Sequence, residues 1–245
     1  MKATALEFRL RMWIMIGLVF IGFWAPWAHG AGRKALLLWL PLSTLHAFGM
    51  SSTTSAPLVV AAGALAAAVG AWLRIWGAAS LGYQTVHDEA MQSDLVANGP
   101  YRYVRNPLYL GGWFMLLAVS LLMPVSGALL SVPLLTIFFF RLIFGEEAFL
   151  QVKLGEPYRN YLRAVPRWFP RLRGALPTAE HKTQWLSGAM GELNTVGIFI
   201  AFAFFSWSYN VTNMLKCILV SFVLAMLVRV FFKGATESKP AQSGE

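Results

Sequence analysis

About seven times along the chain, an apolar stretch approaches the ~20 residues that a helix needs to cross a bilayer. The stretches are residues 10–27, 35–50, 57–80, 108–123, 125–144, 190–209 and 214–232. No other feature constrains the fold as strongly. At bilayer depth no water is present to satisfy backbone N–H and C=O groups, so only helices or a closed barrel can span. A barrel would show alternating strands about ten residues long, and no such pattern is visible. The expected fold is all-α and integral to the membrane, with about seven transmembrane helices. Composition agrees: 13% of residues are charged and 57% hydrophobic, whereas a soluble domain carries roughly 25% charged residues. The stretch 35–50 is short. The stretch 57–80 contains "VVAAGALAAAVGAW", whose small residues allow close helix approach and suit a central packed helix.

Charge sets the expected topology. The formal net charge is +9. It speaks less for nucleic acid than for membrane orientation and anionic lipid head groups, because the basic residues cluster beside apolar stretches. Loops 48–57, 123–127 and 209–213 carry no Lys or Arg. Arg33, Lys34, loop 99–107, segment 153–182 and tail 233–239 carry most of them. Seven spans place these basic pieces on one side, which the positive-inside rule makes cytoplasmic. Lys2, Arg9 and Arg11 break the pattern. Either the N-terminus is translocated despite them, or the first stretch does not span. A cleaved signal peptide is a third reading, since "AHGAG" follows the apolar run; the length of that run and its tryptophans stand against it. Four regions follow: N-terminal helices at 1–80, a core at 81–175, a C-terminal helix pair at 176–235 and a disordered tail at 236–245. Cys217 is the only cysteine, which excludes a disulfide framework or a thiolate metal site.

The turn between stretches four and five is tight, so they form a hairpin. Its open end brings residues 105–109 close to 141–147. The first of these segments belongs to "GPYRYVRNPLYLGG", residues 99–112. Asn98, Gly99 and Pro100 make a turn. Asn106 should be extended before Pro107, and Pro107 fits the first turn of a helix. That helix start offers unpaired N–H groups and partial positive charge to an anion, reinforced by Arg102 and Arg105. Gly111 and Gly112 leave room for a ligand or another helix against the backbone. Arginines and tyrosines also flank many spans simply as interfacial anchors.

The second segment carries Glu146 and Glu147. Adjacent carboxylates at the end of a span are uncommon because charge near hydrocarbon is costly. Two neighbouring acids face different sides of a helix, so one can pair internally while the other faces a pocket. Arg141 stands close enough for a structural ion pair. In "EPYRNYLRAVPRWFP", Tyr158, Tyr161 and Leu162 share one helical face, Arg159 and Arg163 share another, and the helix ends at Pro166. A basic amphipathic helix lying on the membrane accounts for this segment equally well. His29, His46, His87 and His181 are not paired at ligand spacing, so no metal site is expected. His29 and His46 read as interfacial or packing residues. His87, just ahead of the loop, is a candidate pocket residue. There is no dinucleotide or P-loop glycine motif, no paired-histidine zinc helix and no nucleophile elbow.

Taken in order, "NGPYRYVRNPLYLGG", a spanning hairpin and "GEEAFLQVKLGEPYRNYLRAVPRWFP" resemble the isoprenylcysteine carboxyl methyltransferase and phospholipid methyltransferase superfamily. The resemblance covers roughly residues 81–170. It implies S-adenosylmethionine bound at the cytoplasmic face, between loop 99–111, the end of stretch five and the following helix. It also implies a lipidic, prenylated or otherwise amphiphilic methyl acceptor entering from the bilayer, with isoprenylcysteine-type carboxylate methylation favoured over an amine or thiol acceptor. Gly99, Tyr101, Arg105, Pro107, Tyr109 and Gly111 match the family's loop, Glu146 and Glu147 its acidic pair, and Tyr158 and Tyr161 its helix. Asn106 stands where the family has histidine and is placed with the cofactor contacts, as are Arg102 and His87. Arg105, Glu147 and Arg163 are the candidates for handling charge at the reacting groups.

Methyl transfer from a sulfonium is an in-line displacement that consumes positive charge, so alignment carries most of the catalysis. A carboxylate such as Glu147 can hold the cofactor's ammonium or ribose hydroxyls, and arginines can neutralise its carboxylate or an acidic acceptor. Two readings from other classes compete. One is an NADPH-dependent membrane reductase of the sterol type, expected to have more spans and more basic contacts. The other is a non-enzymatic membrane scaffold or transporter.

Overall fold

The computed structural model of the chain describes residues 2–24, 35, 46–49, 51–81, 98–176 and 183–237. Among them the architecture is all-helical, with no strand beyond one bridge between Ala35 and Pro124. The helices are α1 (Ala5–Arg9), α2 (Arg11–Trp24), α3 (Ser52–Leu81), α4 (Pro107–Ser120), α5 (Val125–Leu154), α6 (Glu156–Ala164), α7 (Trp185–Gly191), α8 (Leu193–Ser208) and α9 (Val211–Glu237). A 3-10 turn, Gly99–Arg102, precedes α4.

Three helices are long and apolar enough to cross a membrane: α3, α5 and the first eighteen residues of α9. The pair α7 and α8 makes a fourth if taken as one span, bent by 75°. Helices α2 and α4 are apolar but shorter. Large apolar side chains such as Leu65, Leu129, Ile137, Leu219 and Met226 lie exposed on the outer faces. In water that would be costly; against lipid tails it is not.

Small residues set the helix contacts, as the Ala/Gly-rich stretch suggested. Gly70 of α3 meets the backbone at Gly111 and Met115 of α4, Gly77 meets Leu108, and Gly63 meets Leu121. These contacts run α3 and α4 antiparallel. Ala67, Ala71, Met115, Ala118 and Phe202 bury the seam between α3, α4 and α8. Gly188 of α7 lies on the backbone of Ala79, and Gly197 of α8 on Ser221 of α9. In α2, Gly22 is closed by Gly127 and Ser131 of α5, whose hydroxyl donates to the Leu18 carbonyl at 2.7 Å.

These pairings give the bundle two ends. The near end holds the C-terminus of α3, the start of α4, the last turns of α5, helix α6 and the α7–α8 bend. The far end holds the α4–α5 turn, the α8–α9 turn and the start of α3. The N-terminal segment belongs to the near end. The Ala3 N–H donates to the Arg141 carbonyl at 3.0 Å, and Glu7 forms an ion pair with Arg141 at 2.8 Å. Arg141 therefore serves Glu7, not the Glu146–Glu147 pair.

The predicted stretch 35–50 lies mostly outside the described residues. Its one bridged residue, Ala35, pairs with Pro124 at the far end, the end where α3 begins. Stretch five is longer than the sequence suggested: α5 runs 30 residues and carries Glu146 and Glu147 well inside the helix.

Candidate functional site

Two segments some sixty residues apart are sewn together at the near end. The Arg105 N–H donates to the Pro166 carbonyl at 2.9 Å, the Arg171 N–H to Tyr103 at 3.0 Å and the Ala175 N–H to Arg102 at 2.9 Å. Side chains tighten the seam. Arg102 Nε donates to the Leu176 carbonyl at 2.6 Å, and Asn106 Nδ2 to the Arg167 carbonyl at 3.2 Å. The Tyr161 hydroxyl donates to the Tyr101 carbonyl at 2.9 Å. Residues 166–176 thus form a strap over the 99–106 loop. Gly99 makes the loop possible: its φ of +54° is a left-handed conformation, and the Ser80 side chain lies where a Cβ would point.

Helix α6 buries Tyr158 and Tyr161 in a small cluster with Val165, and Leu162 packs against it. Burial pushes both phenols well above their usual pKa range, and it pushes the Tyr101 phenol up as well. They remain neutral hydrogen-bonding groups at physiological pH. Arg159 and Arg163 lie on the exposed face. Arg159 pairs with Glu156. The structure does not bring Arg163 into the charged cluster.

That cluster is built on α5. Glu147 is buried, at 6% exposure, yet it accepts from two arginines. Arg105 Nη1 donates to Oε1 at 3.0 Å. Arg167 donates from Nε to both oxygens at 3.1 Å and from Nη2 to Oε2 at 2.8 Å. Partial burial lowers the pKa of Arg105, opposed by Glu147. The hydrogen bonds to Glu147 raise that of Arg167. Both stay charged. Arg105 Nε is buried with no hydrogen-bond partner among the described residues. The adjacent Glu146 accepts from the Tyr109 hydroxyl at 2.7 Å. The hairpin thus brings residues 105–109 close to 141–147 as its connectivity predicted, and the pairs formed there are Arg105 with Glu147 and Tyr109 with Glu146. A cavity of about 290 Å3 lies beside them, lined by Lys2, Phe144, Glu147, Ala148, Gln151 and Arg167.

Other predicted site residues turn out to hold the fold together. Arg102 reaches the strap, not the start of α4. Asn106 precedes α4 without capping it, because its amide is turned toward Arg167. Gly111 is closed by Gly70 and Arg74 of α3, so the space it opens takes a helix. Pro107 is buried at the first position of α4. His87 lies outside the described residues.

Sequence reasoning missed Arg167, Lys2 and the buried pair Arg74–Glu192. Arg167 was hidden in "VPRWFP", where it read as one more basic residue near a membrane. Its partner depends on how the strap folds back. Only the preceding helix-ending proline hinted at that return.

Residues 58–156 match the model of a family described as phospholipid methyltransferase. The match takes in the loop, the hairpin and the acidic pair, and it is similar in kind to the integral-membrane isoprenylcysteine/phospholipid methyltransferase superfamily that those motifs resemble. The match supports a membrane methyltransferase acting on lipid substrates. Comparisons with curated proteins and with solved structures returned no match.

Proposed function

We propose that this protein is an S-adenosylmethionine-dependent methyltransferase whose cofactor binds at the near end, around Arg105, Glu146 and Glu147, and whose acceptor is a lipid or another amphiphile. The observation that carries the reading is the unbalanced cluster. Two arginines share one buried carboxylate, and Arg105 Nε is an orphaned donor. Unpaired buried donors are rare and costly in a finished core. At a ligand site they mark where an acceptor atom belongs.

The residues fit the cofactor's charges. Arg105 Nε can donate to a carboxylate. Glu146, held by Tyr109, supplies an acceptor for an ammonium group. Both oxygens of Glu147 accept from arginines. Its role is to hold Arg105 and Arg167 in place. When bound, the cofactor supplies a methyl group on a sulfonium. The chain's own contribution is alignment: two forked cations, a fixed tyrosine–carboxylate pair and the overlying strap. Such positioning can account for a large part of a displacement reaction's acceleration. A carboxylate or thiolate acceptor needs no strong base, and isoprenylcysteine-type carboxylate methylation remains the favoured acceptor chemistry.

The same reading fixes the membrane orientation. Among the described residues, helices α2, α3, α4, α5, the α7–α8 pair and α9 run alternately between the two ends. Lys2, Arg9 and Arg11 then share the near end with the other basic segments. On that reading the near end, which holds most of the basic segments, faces the cytoplasm.

The test is transfer of labelled methyl from S-adenosylmethionine into a lipid extract and a thiol panel, with product identification. Labelled lipid in the wild type but not in Arg105→Ala supports the reading. Absence of any labelled product from folded wild-type protein overturns it.

A further inference from the structure

We infer that Arg74 is a positioning residue that ties the C-terminal helices to the first turn of α4, so that the unit beyond the family match is a working part of the site. The inference rests on the reading of that site as a cofactor cleft. Arg74 lies in α3, inside the matched stretch. Glu192 lies outside it, at the bend between α7 and α8. They meet through a bidentate fork: Nε to Oε2 at 2.7 Å and Nη2 to Oε1 at 2.8 Å. The Glu192 carboxylate is 3% exposed and also accepts from the Thr195 hydroxyl at 2.7 Å.

The third guanidinium nitrogen reaches the other way. Nη1 donates to the Leu108 carbonyl at 3.3 Å. Leu108 is in the first turn of α4 and is followed by Tyr109, which holds Glu146. The absent side chain of Gly111 leaves the room that Arg74 occupies: a Cβ there would lie 2.7 Å from Arg74 Cγ. A continuous set of contacts therefore runs from Glu192 through Arg74 to the turn that presents Tyr109. The α7 end is anchored independently, by the Gln184 N–H on the Ala79 carbonyl at 2.9 Å and by Gly188 on the Ala79 backbone.

A helix staple alone does not require this chemistry. A buried ion pair can often be replaced by apolar residues without loss of stability, and polar groups at membrane depth usually mark function. The fork also uses two faces of one planar group. Lysine, a single point charge, cannot reproduce the two-nitrogen fork on Glu192 with a separate nitrogen on Leu108.

Two variants separate positioning from stapling. Arg74→Lys keeps a charge pair, and the double variant Arg74→Met/Glu192→Leu replaces it with packing. Both are expected to unfold within a few degrees of wild type. Both are also expected to bind S-adenosylmethionine about tenfold more weakly, the scale of a charged hydrogen bond. In cofactor-free protein, amide exchange at residues 110–112 should be faster in both. Unchanged affinity and unchanged exchange in stable variants would overturn the inference. If the wild type binds no cofactor but the variants still exchange faster at 110–112, the positioning role stands and the cofactor reading fails.

Discussion

The near end contains two buried acids held by arginine, and they differ in one respect. Around Glu192 the count balances: one carboxylate, one guanidinium, a threonine hydroxyl and a helix carbonyl. Around Glu147 it does not: one carboxylate faces two guanidinium groups, and one of their nitrogens is buried without a partner among the described residues. A balanced cluster is closed and can only hold its neighbours in place. An unbalanced one has capacity left for an anionic ligand group. That difference, more than burial or charge alone, separates a support from a binding site here.

The sharpest way to break the comparison is Glu147→Ala. It leaves Arg105 and Arg167 facing each other in a partly buried site, and losing one partner of a buried pair costs about 3–5 kcal/mol. Chemical unfolding in detergent should show that loss, and cofactor binding should vanish. Swapping both partners for apolar residues then tests the contrast directly. Arg74→Met/Glu192→Leu should weaken cofactor binding only about tenfold. Arg105→Met/Glu147→Leu should abolish it even where the protein stays folded, as thermal melts and calorimetry on the same samples would show. Next in size is Tyr109→Phe, which removes the hydrogen bond to Glu146. A net hydrogen bond is worth about 1 kcal/mol, so cofactor affinity should fall about fivefold.

Smaller effects follow from titration. Tyr158 and Tyr161 are held neutral by burial. Their folded pKa values lie above the unfolded value of about 10. The stability they contribute is therefore complete below about pH 10 and is lost as pH rises beyond it. Thermal melts between about pH 8 and 11 should show this decline, and Tyr158→Phe/Tyr161→Phe should flatten it. The smallest effect is at Glu7. Its hydrogen bonds to Arg141 hold its carboxyl down to about 2 from the ordinary 4.5. The pair's contribution is present above about pH 4.5 and fades as pH falls toward 2. Because Glu7 is at the surface, Glu7→Gln should shift the neutral-pH melting temperature only slightly.

The core of the site was legible in the sequence because local rules carry it. The tight 123–127 turn makes a hairpin, and its open end brings residues 105–109 close to 141–147, where the structure pairs Arg105 with Glu147 and Tyr109 with Glu146. The burial of Tyr158 and Tyr161 followed from helical spacing. What sequence could not reveal depends on long-range folding. Arg167 reaches Glu147 only because the strap doubles back over the loop. Arg102, Asn106 and Gly111 read as ligand contacts because their chemistry suits one, yet strap and helix partners claimed them. Arg74 is a single charge in an Ala/Gly-rich stretch, and nothing local points to a carboxylate 118 residues away.

The central claim, that the unbalanced arginine cluster binds the cofactor, is tested most directly by calorimetric titration of purified protein with S-adenosylmethionine. Three proteins suffice: wild type, Arg105→Ala and, as a surface control, Arg159→Ala, whose exposed pair with Glu156 lies on the outer face of α6. The account predicts saturable binding in wild type and Arg159→Ala, and affinity at least about tenfold weaker in Arg105→Ala, the scale of a lost charged hydrogen bond. Equal affinity in all three, or no binding by folded wild type, would contradict it.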